Sequence, residues 1–256
     1  MSEAKKPTGK AALVTGASYG VGAATALALA RDGFDVVVTA TRESNLAATL
    51  AAIRETGRKA VGIELDLRAQ SSIEKTAASA IAAFGQIDVL VNNAGVNLRS
   101  KAIETVRDEF EDVLLTNVTG TFFLTQQFGR YWVAQHLPGR VVTVASAHAL
   151  VGAAERSAYG ISKAALLQMT RMLAIEWADY GITVNAVAPG RLDTASPSRA
   201  GTGSNQDYME AMLKRIPLHR LATAEEVAAA AVFLTSPAAA SITGQTIVID
   251  GGLTAA

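Results

Sequence analysis

Tyr159 and Lys163 stand four residues apart in Tyr159-Gly160-Ile161-Ser162-Lys163, inside an Ala- and Leu-rich stretch that reads as a helix. Residues i and i+4 share a helix face, so the phenol and the ammonium point the same way. A free tyrosine has a pKa of about 10, too high to exchange protons usefully near neutrality. An adjacent cation in a dry cleft favours the phenolate and lowers that value. A phenol so tuned can give or take a proton at a carbon–oxygen bond. Ser146 follows the apolar run Arg140–Ala145, which reads as a strand. A hydroxyl at the carboxyl end of a parallel strand can hold a carbonyl oxygen beside the phenol. Tyr and Lys at this spacing also occur by chance on many helix faces, so the surroundings decide.

A second group of residues suits a dinucleotide. Thr15-Gly16-Ala17-Ser18-Tyr19-Gly20-Val21-Gly22 joins a β-branched run to a helical one. Glycines permit left-handed backbone and close approach of a ligand. The helix start offers unpaired N–H groups and a positive dipole end, which suit a pyrophosphate. Gly16, Ser18, Tyr19 and Val21 are the candidates to line it. A tight connection alone would use the same glycines, but the strand before and the amphipathic helix after favour the dinucleotide. The second strand ends Val38-Thr39-Ala40-Thr41-Arg42, with Ala40 where a carboxylate would accept the ribose hydroxyls of NAD. Without that carboxylate a 2′-phosphate is not repelled. Thr41 can add a hydroxyl and Arg42 a cation, so the expected cofactor is NADP, with NAD as the alternative.

Alternating strand and helix patterns position these groups. Strands are expected at Ala11–Thr15, Phe34–Thr39, Ala60–Leu65, Ile87–Val91, Arg140–Ala145, Ile182–Ala188 and Thr246–Ile249. Helices are expected at Val21–Arg31, Ser44–Thr56, Ser71–Phe84, Arg107–Gln135, Ala158–Tyr180 and Ala224–Leu234. Apolar strands without in/out alternation mean a sheet covered on both faces. The expected architecture is α/β: one doubly wound Rossmann-type domain over residues 1–256, with a mostly parallel seven-stranded sheet and helices on both faces. The Gly-, Ser- and Thr-rich segment Arg191–Asn205 breaks the rhythm, and Tyr208, Met209 and Met212 follow at helical spacing. A long irregular segment in an α/β domain reads as a substrate lid, here 191–215.

Composition removes several functions. Lys plus Arg and Asp plus Glu both number 23, so no net charge draws nucleic acid or an anionic membrane. With no cysteine there is no disulfide, thiolate metal site or cysteine nucleophile. His136, His148 and His219 have no ligand spacing, so no metal is expected. The opening MSEAKKPTGK lacks the apolar region of a signal peptide, and no run reaches membrane-spanning length. A cytoplasmic location is the expectation.

Taken together, Thr15–Gly22, Asp66, Asn92-Asn93-Ala94-Gly95, Asn117, Ser146, Tyr159-x-x-x-Lys163, Pro189-Gly190 and Asp250-Gly251-Gly252 resemble the compact cytosolic short-chain dehydrogenase/reductases in order and spacing. The resemblance runs from Lys10 to Gly252. It implies a catalytic set of Asn117, Ser146, Tyr159 and Lys163. In that set Tyr159 is the general acid or base, and Lys163 also holds the nicotinamide ribose. Asn117 would anchor a proton-relaying water. It further implies that Asp66 and Leu67 meet adenine and that Asn93, Ala94 and Gly95 pack on cofactor ribose. Pro189, Gly190, Leu192 and Thr194 would hold the nicotinamide carboxamide. Tyr19 departs from the Arg or Lys of many NADP-using relatives.

The implied substrate is a small ketone or secondary alcohol, with sugars and polyols equally open. The pattern is also similar to 3-oxoacyl-carrier-protein reductases. Arg130 matches one of their carrier-docking positions, whereas Ile175 replaces another and Arg171 lies a turn away. A non-catalytic cofactor-binding member and a structural oligomer remain alternatives. His148 is expected near the cleft without a chemical duty, and Trp132 and Trp177 in the core or at subunit contacts. A homotetramer is the family's usual assembly.

Overall fold

A computed structural model describes residues 9–193, 210 and 212–256. The first three strands are β1 (Ala11–Val14), β2 (Asp35–Ala40) and β3 (Ala60–Glu64). The remaining strands of the sheet are β4 (Val89–Asn92), β5 (Arg140–Val144), β6 (Thr183–Pro189) and β9 (Thr246–Ile249). The seven lie in the order β3-β2-β1-β4-β5-β6-β9, and every pairing is parallel. A separate parallel ribbon joins β7 (Leu192–Asp193) to β8 (Ala222–Thr223).

Helices cover both faces, and alternation along a single strand shows it. Ala12 and Val14 pack on one side, with Ala26 and Leu29 of α1 (Gly20–Arg31) and Val227 and Leu234 of α7 (Ala224–Thr235). Ala11 and Leu13 pack on the other. There they meet Ile73 of α3 (Gln70–Phe84), Phe128 and Trp132 of α5 (Thr121–Gln135), and Leu166 and Leu173 of α6 (Ser157–Trp177). A strand with both sides buried gains nothing from polar alternation, which is why these runs are continuously apolar. Trp132 is fully buried and donates its indole N–H to the Ile87 carbonyl at 2.6 Å. Trp177 closes over Gly129, where an added Cβ would come within 2.6 Å of its ring.

Three expected helices differ, and the one expected over Ala158–Tyr180 runs only to Trp177 before a 3₁₀ turn at Ala178–Tyr180. The stretch expected over Ser44–Thr56 opens with a tight 3₁₀ turn at Glu43–Leu46 before α2 (Ala47–Glu55). The stretch expected as one helix over Arg107–Gln135 is α4 (Arg107–Leu114), a wide π turn over Leu115–Gly120, and then α5. On α6, Leu166, Met169 and Leu173 take the sheet side, while Met172 and Ile175 stay exposed. Of the expected lid, residues 194–209 and 211, with Tyr208 and Met209, lie outside the described residues.

Candidate active site

The sheet order places the site. The chain leaves β1 toward β2 on one side and later returns to β4 on the other, so the loops after β1 and β4 part from adjacent strands. Ligands of open parallel sheets bind beyond the carboxyl ends at such a reversal. The glycine turn follows β1, Asn93–Gly95 follow β4, and Ser146 follows β5.

Lys163 is buried, and its Nζ donates to the Val144 carbonyl at the end of β5 at 2.9 Å. Burial pulls its pKa from 10.5 to about 8, because a low-dielectric surrounding disfavours the ammonium. The same Nζ lies 5.7 Å from the centre of the Tyr159 ring. Tyr159 is half-buried and meets the His148 ring edge-on, with centroids 6.3 Å apart. Ser146 is buried, and its Oγ accepts the His148 N–H at 3.2 Å. Accepting leaves the serine proton available for donation.

Asn117 sits inside the π turn. Wide turns of this kind insert one extra residue into a helix and recur at functional sites. Its Oδ1 accepts the Val96 N–H at 2.8 Å, and its Nδ2 donates to the Val96 carbonyl at 2.9 Å and to Ser162 Oγ at 3.0 Å. Ser162 Oγ in turn donates to the Tyr159 carbonyl at 2.7 Å. Both amide protons are thus engaged, and Asn117 ties the loop after β4 to the helix that carries Tyr159 and Lys163. An added Cβ on Gly95 would come within 2.9 Å of Asn117 Oδ1, so this loop can pack only as glycine.

The glycine turn is held from beneath. Asn93 Nδ2 donates to the carbonyls of Thr15 and Gly16 at 3.0 and 2.9 Å. Thr15 Oγ1 accepts the N–H groups of Asn93 and Ala94 at 2.9 and 3.0 Å. Gly16 has φ +63°, and its Cβ would lie 2.7 Å from the Ala94 Cα. A Cβ on Gly22 would lie 2.3 Å from the Gly16 carbonyl oxygen. Tyr19 is the residue before the first turn of α1, half-exposed, and its side chain does not cap the helix. Ser18 and Val21 flank it in the same turn.

The other expected contacts are distributed around this centre. Ala40 closes β2, and Thr41 and Arg42 follow it, exposed. Asp66 turns its carboxylate to Arg68, accepting at 3.0 and 3.1 Å, and the guanidinium holds its pKa below the usual value. Leu67 is buried, with its carbonyl against Gly120 of the π turn. Gly190 donates its N–H to Ile249 at 2.9 Å, next to Pro189 at the end of β6. Leu192 is buried in the β7–β8 ribbon, and Thr194 lies outside the described residues. Thr15 and Ser162 were not anticipated as site residues; a buried hydroxyl immediately beside a motif is the signal that points to them. A cavity of about 510 Å³ opens elsewhere, between Pro217, Leu218, Val248 and Gly251, and Asn117, Ser146, Tyr159 and Lys163 do not line it.

The family model described as Enoyl-(Acyl carrier protein) reductase matches residues 16–254. Glucose 1-dehydrogenase 2 of Bacillus subtilis is 36% identical over 252 residues, covering 98% of this chain and 96% of that protein. The 2-dehydro-3-deoxy-D-gluconate 5-dehydrogenase of Dickeya dadantii is 35% identical over 244 residues, 95% of each chain. Among solved structures, actinorhodin polyketide ketoreductase with NADPH superposes at a TM-score of 0.90 with 34% identity, covering 96% of this chain and 97% of that one.

Proposed function

Because the chain belongs to the short-chain dehydrogenase/reductase family, we propose that it interconverts a ketone and a secondary alcohol with NADP(H), using Tyr159 as general acid and base. The observation that carries this reading is the buried Lys163 ammonium beside the Tyr159 ring, bound to the end of β5 just before Ser146. In reduction, Tyr159 gives its phenolic proton to the carbonyl oxygen while Ser146 donates a hydrogen bond to the same atom. Negative charge on that oxygen is thereby met by two donors. Lys163 stabilises the phenolate left behind, and oxidation runs the same proton in reverse. Asn117 acts through Val96 and Ser162 as a positioning residue.

The chain fits a dinucleotide. The close approaches at Gly16 and Gly22 leave room for backbone but not for Cβ, and α1 begins without a side-chain cap. Gly16, Ser18, Tyr19 and Val21 would receive the pyrophosphate. Thr41 and Arg42 would receive a 2′-phosphate, Asp66 and Leu67 the adenine, and Asn93, Ala94 and Gly95 a ribose. Lys163 would hold the nicotinamide ribose, and Pro189, Gly190, Leu192 and Thr194 the carboxamide. When bound, the nicotinamide supplies or accepts the hydride at the substrate carbon. Association with copies of itself is part of the reading, since Phe123, Met172 and Ile175 expose apolar surface on α5 and α6. NAD-dependent sugar or polyol oxidation is the second reading, favoured by the likeness to glucose and gluconate dehydrogenases.

The test is a panel of ketones and alcohols with NADPH and NADH, run on the wild type and on Tyr159→Phe. The variant is expected to keep its cofactor affinity by fluorescence titration and to lose turnover by about 10²–10⁴-fold. An active Tyr159→Phe protein removes the assigned acid.

A further inference from the structure

The reacting groups lie beyond the carboxyl ends of the strands, and a cavity of about 320 Å³ opens at the opposite edge of the same sheet. It forms where the strands begin. Lys10 precedes β1, Phe34 precedes β2, Asp88 precedes β4, and Arg140 is the first residue of β5. The outer walls are Pro138 and, in the turn after α7, Pro237, and both are exposed. Arg140 and Ser146 are six positions apart along one extended run, about 20 Å at about 3.3 Å per residue. Proton transfer therefore makes no use of this edge, and Asn117, Ser146, Tyr159 and Lys163 do not line the cavity.

The charges around it are not paired with one another. Arg140 is half-buried, and its Nη1 donates to the Ser236 carbonyl at 3.2 Å. A guanidinium carries five N–H donors, so a single bond to a neutral acceptor leaves most of the fork unused. Lys10 Nζ lies 5.7 Å from the centre of the Phe34 ring. Among the described residues neither cation forms an ion pair. Asp88 is the carboxylate beside them, and it is engaged elsewhere. Its Oδ2 accepts the Ala11 N–H at 2.8 Å, and its Oδ1 accepts the Gln86 side-chain amide. Two cations thus border one cavity with donors that no protein carboxylate takes up.

Charge and shape define the occupant. Lys10 and Arg140 against Asp88 leave one net positive charge among the lining residues. Thr235, the last residue of α7, also lines the cavity, and the carboxyl end of a helix is its negative end. A dianion would exceed the available positive charge and face Asp88, whereas a monoanion matches it. A planar carboxylate meets a guanidinium through two parallel N–H groups, which fixes its orientation. Proline rings are rigid apolar walls against which a flat ring can lie. A volume of about 320 Å³ is at the small end for ligand sites, enough for one ring with its carboxylate and too small for a dinucleotide.

We propose that Lys10 and Arg140 form a second binding site, at the amino edge of the sheet, for a small aromatic monocarboxylate. This site is separate from the reaction centre and does not depend on the oxidoreductase reading.

Calorimetric titration of benzoate into the full-length, cofactor-free protein tests it, with benzyl alcohol and inorganic phosphate as comparison probes. The wild type is expected to bind one benzoate, about tenfold or more tightly than either comparison probe. Arg140→Gln weakens benzoate about tenfold. Lys10→Gln, at an exposed position where the fold is not at stake, weakens it about threefold. No binding of benzoate to the wild type at about 10 mM overturns the site. Equal affinity in the wild type and Lys10→Gln, with Arg140→Gln folded and unchanged as well, puts benzoate elsewhere and overturns it too. Benzyl alcohol binding as tightly as benzoate would reduce the cavity to an apolar crevice, and phosphate binding as tightly would remove the aromatic monocarboxylate as its ligand. Either result refutes the assignment, and none of them touches the role of Tyr159.

Discussion

Replacing Lys163 with Met tests the electrostatics of the site without any substrate. In the folded chain the ammonium pKa falls from 10.5 to about 8, through burial. The folded state therefore binds the proton less tightly than the unfolded state does. Below pH 8 both states carry the charge, and the folded state bears the full cost of burying it. Between about pH 8 and 10.5 the unfolded chain holds more proton, so stability rises with pH across that window. At about 1.4 kcal/mol per tenfold change in proton affinity, the whole rise is on the order of 3 kcal/mol. Most of that rise falls between pH 7 and pH 10.

Urea denaturation of the cofactor-free protein at pH 7 and pH 10 measures this difference. Wild type is expected to gain roughly 2–3 kcal/mol over Lys163→Met between the two conditions. The comparison is of slopes with pH, because the variant also removes the donor to the Val144 carbonyl and shifts both values together. Titrating groups remote from Lys163 cancel in the difference, and Tyr159, which feels its charge, is removed from it by making both comparisons in a Tyr159→Phe background. Parallel stability curves for the two proteins would show that the ammonium is not desolvated, and the argument for its action on Tyr159 would fall with it.

Alanine at Arg42 should weaken NADPH on the order of tenfold more than NADH in fluorescence titrations, and equal effects would remove the phosphate assignment. Gly22→Ala puts a methyl 2.3 Å from the Gly16 carbonyl oxygen and 2.5 Å from Asn93 Nδ2. It is expected to cost about 1–3 kcal/mol in thermal unfolding and to weaken both cofactors. Asn117→Leu strips partners from the Val96 N–H and carbonyl and from Ser162, at about 3 kcal/mol of stability. Steady-state kinetics of that variant should show kcat falling more than KM rises, since the loss acts on the placement of Tyr159.

Most of the sheet was legible because its strands are buried on both faces, which leaves a continuous apolar signature at Val36–Val38 and Val89–Val91. The glycine turn was legible because steric demand leaves only one residue type at positions such as Gly16 and Gly22. The break at Leu115–Gly120 was not. Thr116, Asn117, Val118, Thr119 and Gly120 are weak helix formers, but weak propensity does not say which irregularity results, and here Asn117 is tied to Val96 and Ser162 across the fold. Asn93 illustrates a different limit. Its type and place were apparent, but only coordinates reveal that its amide grips the carbonyls of Thr15 and Gly16. The pairing of Arg156 with Asn97 spans 59 positions, a separation that local pattern cannot bridge.

The wide turn at 115–120 also sets rotational phase. One residue of helix corresponds to about 100° of rotation. Excising a single residue there, so that α4 ran straight into α5, would swing Phe128 and Trp132 round from the sheet. The aromatic anchor of one layer and the amide that ties the loop after β4 to α6 are thus geared to a single inserted residue. Exchanging the outward side chains of that segment leaves this phase unchanged, whereas altering its length does not.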